Sequence, residues 1–452
     1  MDAPVGFRIP QLCLPRADLD LAKWAVVACD QYTSEPDYWR AAATLVGDAP
    51  STLQLIFPEV YLGSADAPER ILGIQQAMQR YLADGLLRDH AGAVYVERTV
   101  HGRTRRGLML ELDLEHYDFS PSSTSLIRPT EGTIVERLAP RIEVRRDAEL
   151  ELPHILVLID DPTHSVIEPI GAAIDAEPDS QTKLYETELM QGGGHLAGWA
   201  VDAACAERAV QALMALANPQ TFAQRYAVPA GTPPMLFAVG DGNHSLATAK
   251  SIWDSVKARV GLAHPSRYAL VEVENIHDLA LAFEPIHRLL FGVAADEGAD
   301  IRQALAKTFG SRLTCTDVPS AQAMRERVQA ASPACHAAGL IGPGARFSVV
   351  EVAQPTSTLA IGSFQPFIDD FVEQGGAASI DYVHGDDVLE RLAMTDGHIG
   401  IHLATVAKGD LLRMVVREGP LPRKPFSMGE AQEKRFYVEA RRIKPAEAAS
   451  SR

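Results

Sequence analysis

Cysteine is scarce in this sequence and shows no pairing. Cys13, Cys29, Cys205, Cys315 and Cys335 are odd in number and include no Cys-x-x-Cys spacing. A disulfide framework and a cysteine-held zinc are therefore not expected, and a reducing compartment is. Basic charge is also short: 42 Lys and Arg stand against 59 Asp and Glu, a net charge of −17. Such a surface repels phosphate backbones and anionic lipid, so neither nucleic acid nor a membrane is an expected partner. No apolar run nears the ~20 residues that span a bilayer. The first residues lack the basic start and apolar core of a secretory signal. A soluble, cytoplasmic protein is the expectation. Also missing are a Gly-x-Ser-x-Gly elbow, a His-Glu-x-x-His helix, a Walker loop and the three-glycine dinucleotide fingerprint. The motif support for serine hydrolases, zincins, P-loop enzymes and Rossmann enzymes goes with them.

What is present is ordinary globular material: 452 residues, 46% hydrophobic and 22% charged. At roughly 150 residues per domain this length suggests two or three domains. Trp24 to Ala28 reads as a short buried strand, and a helix follows from Pro36 with Ser34 as its cap. Ile71, Ile74, Met78 and Leu82 recur at helical spacing before Gly85. Hairpins are signalled at 94–114, around His101-Gly102, and at 184–201, around Gly192-Gly-Gly194. Helices are expected at 202–216 and 245–260, and strands at 235–239 and 268–273. Beyond Phe291 shorter units follow, with helices at 297–308, 319–331, 366–374 and 384–394 and strands at 311–316, 347–352 and 399–403. The segment 420–443 is basic and aperiodic. The fold class is read as α+β: a mixed sheet with hairpins and flanking helices in a main domain, 1–290, and a smaller α/β region with a basic C-terminal strap, 291–445.

One segment carries most of the chemistry. A hydrophobic strand ends at Gly240, the polar turn Asp241-Gly242-Asn243-His244 follows, and a helix starts at Ser245. Unpaired N–H groups and the positive dipole end of a helix attract anions there, and glycine lets a ligand approach the backbone. His244 adds a donor. Asp241 can serve as a base or hold Mg²⁺. The plainer reading is a capped strand-to-helix turn, and the local pattern does not decide between them. A second segment, Arg128-Pro-Thr-Glu131-Gly-Thr133, joins a cation, a carboxylate and a hydroxyl, with Arg137 and Arg141 following on one helical face. Asp30 directly follows the first apolar strand, where a base can stand. Asp160-Asp161 before Pro162 reads as a turn more than as a metal pair. Lys424 and Lys434 lie in the basic strap and supply cations to an anion if the strap folds back.

These segments resemble domain-of-unknown-function family 1015. The matching pieces are Gly240-Asp-Gly-Asn-His-Ser-Leu-Ala-Thr-Ala-Lys250, Trp24-Ala-Val-Val-Ala-Cys-Asp-Gln-Tyr-Thr-Ser34, Ile127-Arg-Pro-Thr-Glu-Gly-Thr133, Met190-Gln-Gly-Gly-Gly-His-Leu-Ala-Gly-Trp199 and Ile380-Asp-Tyr-Val-His-Gly-Asp386. They run in the family order. Many relatives carry Asp-Gly-His-His-Arg at 241–245, a form similar to the phosphate loop of ParB-like, sulfiredoxin-like and free-serine-kinase domains. The resemblance implies a nucleotide or other phosphate-bearing small molecule as ligand. Here Asn243 replaces a histidine and Ser245 the arginine, which removes a bidentate phosphate donor. The expected function is a phosphotransferase using a nucleotide and Mg²⁺ on a small hydroxy or amino acid such as serine. Asp30, Glu131, Asp241 and His244 would be its catalytic groups. Gly240, Gly242, Asn243, Ser245, Arg128, Thr133, Lys424 and Lys434 would hold the cofactor. A phosphate-monoester hydrolase and a non-catalytic nucleotide or metabolite sensor remain the alternatives, and a homo-oligomer is left open.

Overall fold

The computed structural model describes residues 6–178, 181–293, 297–332, 334–421 and 426–445. Val94–Val100 and Arg103–Asp113 pair antiparallel, with Val100 opposite Arg103. His101 and Gly102 between them both have positive φ, at 50° and 73°, the two-residue turn whose twist matches that of paired strands. Lys183–Leu189 and Gly194–Ala200 form a second hairpin. Its tip needs left-handed backbone at Gln191, Gly192 and Gly194.

Both hairpins belong to one mixed sheet, nine-stranded among the described residues. From one edge it runs Ile127–Pro129, Phe237–Asp241, Leu156–Ile159, Tyr268–Asn275, Arg103–Asp113, Val94–Val100, Gly194–Ala200 and Lys183–Leu189, with Phe7–Arg8 added beside Arg103–Asp113. Ile127–Pro129 is parallel to Phe237–Asp241, and Leu156–Ile159 is parallel to Tyr268–Asn275. The other pairings along this order are antiparallel. The α+β class expected from the hairpins and intervening helices is what the structure has.

Helices cover the sheet through apolar stripes. Pro36–Val46 buries Trp39, Ala42 and Val46, and starts with Pro at its first position after Glu35, one residue past the expected cap at Ser34. Ala67–Ala83 buries Ile74, Ala77, Met78 and Tyr81. Ala203–Leu216 is capped by Asp202, which accepts from the Cys205 N–H. Trp24 to Ala28, read above as a strand, instead leaves the short helix Leu21–Trp24 and runs on as buried extended chain. Its partners come from the C-terminal strap: Tyr437 N–H donates to Val26 O, and Ala28 N–H to Arg435 O.

The chain divides into two units. The first takes the described residues up to Pro129, Thr133–Leu281 and those from Gly429 onward. The second takes Thr130–Gly132 and Ala282–Met428. Position 290, the expected boundary, falls inside the strand Phe283–Phe291 of the second unit. In that unit a second sheet runs Leu313–Val318, Arg346–Ala353, Cys335–Gly342, His398–Leu403, Phe283–Phe291 and Ser379–His384, and Phe426–Met428 also pairs with Phe283–Phe291. No helix among the described residues is long and apolar enough to cross a membrane.

Candidate functional site

The strand Phe237–Asp241 pairs with Leu156–Ile159, and the register shifts between Val239 and Asp241. Gly240 is the residue at that irregularity, a place that favours glycine because a bulge bends the strand. Gly242 follows with φ 77° and ψ 25°, and the helix Asn243–Val260 begins beyond it. A Cβ on Gly242 would stand 3.0 Å from Ile155 Cα. Both the angle and the space therefore demand glycine. The helix starts two residues before the expected Ser245, and no side chain caps it.

Charged groups gather round this first turn. Lys434 from the C-terminal strap reaches Asp241, with Nζ 3.0 Å from Oδ2, and its side chain is 8% exposed. The other oxygen of Asp241 accepts the Gly242 N–H at 3.0 Å. Asn243 is buried; its Nδ2 donates to Val239 O at 3.3 Å, and its Oδ1 has no partner. Thr133 Oγ1 is likewise buried and unpartnered. His244 Nε2 accepts the Ile134 N–H at 3.4 Å. Burial, reinforced by the charges of Arg141 and Arg137, pushes the His244 imidazole down to about 4. It is neutral at pH 7.

Ser245 opens a hydrogen-bonded chain. Its Oγ is 2.8 Å from His154 Nε2, and His154 Nδ1 is 2.8 Å from Tyr437 OH. Tyr437 OH also accepts the Cys29 N–H at 3.0 Å, and Asp30 Oδ2 lies 3.8 Å from His154 Nε2. Burial would raise the Asp30 carboxyl, but His154, the Gln31 amide and Lys434 outweigh it and hold the group below its ordinary value. Next to Cys29, Glu59 pairs with Arg141. Burial, only partly offset by Arg141, raises the Glu59 carboxyl.

The remaining residues singled out from sequence have other placements. Arg128 is 3% exposed, and its guanidinium donates to the carbonyls of Ser125 and Pro233 at 2.8 Å each. It ties loops beside the strand Phe237–Asp241. Glu131 belongs to the second unit, bridged to Leu421. Lys424 lies outside the described residues. Asp161 accepts N–H groups of Thr163, Ser165 and Val166, which makes it the turn residue it was read as. Sequence reasoning passed over His154, Tyr437 and Glu59. His154 had one weak signal, a Pro-His step just before the buried strand Leu156–Ile159. Tyr437 had none, because its role depends on chain 280 residues distant and more.

Among the described residues one group has the spacing of metal ligands: His287, Asp386 and His402, in the second unit. Leu403 N–H donates to His287 Nδ1 at 3.1 Å. The proton of neutral His287 therefore lies on Nε2, which faces Asp386 Oδ1 at 2.9 Å. A ligating histidine has the reverse arrangement, a lone pair toward the ion and a proton toward its support. The group is a hydrogen-bonded clamp on Asp386.

The chain belongs to the family described as protein of unknown function, DUF1015, which matches residues 13–369. No curated protein matches it. Among solved structures, a free serine kinase in complex with AMP is similar at 11% identity, covering 74% of this chain and 91% of that one, with a TM-score of 0.36. A conserved hypothetical protein from Pyrococcus furiosus is similar at 11% identity, 74% and 95% coverage and a TM-score of 0.34. C-terminally truncated SbnI from Staphylococcus aureus is similar at 13% identity, 65% and 82% coverage and a TM-score of 0.25. Likenesses this distant carry no functional argument, and AMP is the ligand of that kinase.

Proposed function

We propose that the first unit is a nucleotide-dependent phosphotransferase that acts on the hydroxyl of a small acid. The observation that carries this reading is the set of groups at the first turn of Asn243–Val260: Lys434 on Asp241, neutral His244 within the field of Arg137 and Arg141, and Asp30 beside His154. Phosphoryl transfer asks a protein for positioning and charge stabilisation more than for covalent chemistry. The helix start and Lys434 would receive phosphate oxygens, with the Ser245 hydroxyl as a further donor where relatives carry arginine. Asp30, ionised at neutral pH, would be the base. The substrate hydroxyl oxygen bonds to the terminal phosphorus and its proton passes to Asp30. The bond from that phosphorus to the bridging oxygen breaks, and the nucleotide, shorter by one phosphoryl group, leaves with the electron pair. Mg²⁺ suits the donors present, since Asp241 and the unpartnered Oδ1 of Asn243 are hard oxygen ligands. When bound, it would neutralise phosphate charge.

Calorimetry of the full chain with ATP, ADP, CTP and phosphoserine, each with Mg²⁺, tests the reading. At least one nucleotide should bind, and Lys434→Ala should weaken it by roughly tenfold or more, the range for a lost charge-assisted hydrogen bond. No binding of any nucleotide, or equal binding by the variant, would remove the site.

A further inference from the structure

Beside the Ser245–His154–Tyr437 chain lies a cavity of about 130 Å³ within the first unit. Its walls are mostly hydrocarbon: Leu55 and Phe57 from one segment, Met78 from the helix Ala67–Ala83, Val144 and Ala148 from the helix Leu138–Arg146 and the residues after it. Its polar lining includes Ser245, His154, Tyr437, Glu59 and Arg141. The contacts described above place the first three in one hydrogen-bonded chain; Cys29, which donates to it, accepts the Glu59 backbone N–H at 2.7 Å, and the Glu59 side chain pairs with Arg141.

We propose that this cavity binds the phosphoryl acceptor, and that the acceptor is a 2-hydroxy acid with an apolar side chain of up to about the size of a benzene ring. The assignment rests on the phosphotransferase reading for the acceptor's role, and on the cavity alone for its chemistry. A cavity of roughly 150 Å³ in another protein takes up benzene, so the hydrocarbon side of this slightly smaller one has room for a branched aliphatic or phenyl group. Serine has no such group. Its single methylene would leave most of the hydrocarbon wall uncovered. Arg141 and Arg145 are the cations on the lining, paired with Glu59 and Glu151, and Arg141, nearer the hydrogen-bonded chain through Glu59, is the one assigned to the carboxylate. Ser245 and His154 line the cavity, and Asp30, off the lining, stands 3.8 Å from His154 Nε2, so the substrate hydroxyl would sit against His154.

The test is calorimetry on the full chain without nucleotide, using a homologous series: lactate, 2-hydroxybutanoate, 2-hydroxy-4-methylpentanoate, 3-phenyllactate and, for comparison, serine. Affinity should climb by about fourfold per added methylene, the worth of burying one, and 3-phenyllactate should bind far more tightly than serine. Ala148→Leu, which fills the cavity, should abolish binding of the larger acids while ADP binding persists. Persistence of ADP binding also reports that the variant is folded. If Ala148→Leu fails to fold, Val144→Phe provides the same test from the neighbouring helix. A flat series, serine binding as tightly as 3-phenyllactate, or no acid bound at all would overturn the assignment. An intact series in a protein that binds no nucleotide would uphold the pocket and sink the phosphotransferase reading, so the two failures are distinguishable.

Discussion

His244 shows how much a single side chain owes to its surroundings. The sequence marks it as a donor at a helix start. Burial and two arginines hold its imidazole near 4, well under the ordinary value of 6.5, so at neutral pH it carries one proton and no charge. The sign of its pH dependence follows. In the free protein the depressed value stabilises the fold above 6.5, and that contribution is lost as pH falls from 6.5 through 4. A bound phosphate favours the charged imidazolium and must raise the value, so binding takes up a proton. Nucleotide affinity should therefore increase as pH is lowered from 7.5 to 5.5, and the increase should be larger than in His244→Gln. Calorimetry in buffers of different ionisation enthalpy would count the proton directly. Identical pH profiles for the two proteins would show that His244 does not meet the anion.

At the scale of elements, the site depends on how one strand becomes one helix. Gly240 stands at a shift of register, Gly242 turns the chain through left-handed backbone against Ile155, and the helix begins uncapped. Gly242→Ala should cost about 1–2 kcal/mol for the backbone alone, and more for a Cβ 3.0 Å from Ile155 Cα. Gly73 is the contrast. It lies inside the helix Ala67–Ala83 with open space around it, so Gly73→Ala should add roughly 0.5–1 kcal/mol. Urea unfolding of the two variants should give shifts of opposite sign. Legibility also varied by element. The helices expected at 202–216, 245–260, 319–331 and 384–394 were found to within a few residues, whereas Lys408–Glu418, with Leu411, Leu412, Met414 and Val415 buried, was passed over. The helix expected from residue 366 begins at Ala360, because Pro366 lies within it and not at its start. The strands Cys335–Gly342 and Phe283–Phe291 were missed: the first is a largely apolar run with no period of its own, and in the second Pro285, His287 and Arg288 break the strand pattern.

For the molecule as a whole, the C-terminal strap is part of the first unit's interior. Arg435 is buried between Glu272 and Glu439, and its Nε donates to Pro153 O at 2.8 Å. Trp24 Nε1 donates to Val438 O at 3.0 Å. Arg441 pairs with Glu151 and Glu111. The first unit therefore closes only when residues from Gly429 onward return to it, and truncation before that point should unfold it. The sharper test is Arg435→Ala. Leaving two carboxylates buried without their cation should cost about 3–5 kcal/mol, read as a loss of stability in denaturant unfolding monitored by tryptophan fluorescence. A cost below ~1 kcal/mol would mean that water or a neighbouring arginine takes over the charge, and that the strap is not held by this network.

The sequence by itself determined the local part of this protein. Hairpin turns, amphipathic helices and the strand–turn–helix at 237–260 follow from φ preferences and apolar period, which act over a few residues. The family followed from the order of short motifs. The tertiary structure alone decided what those motifs touch. Arg128 and Thr133 looked alike as phosphate groups, yet Arg128 is engaged by two carbonyls and Thr133 Oγ1 is left unpartnered. Asp241 meets Lys434 across 193 residues, and Ser245 meets His154 and through it Tyr437. No periodic signal spans such distances. Which charges lie side by side is settled only when the strap returns to the sheet, because burial there removes water as the alternative partner and makes each pairing obligatory.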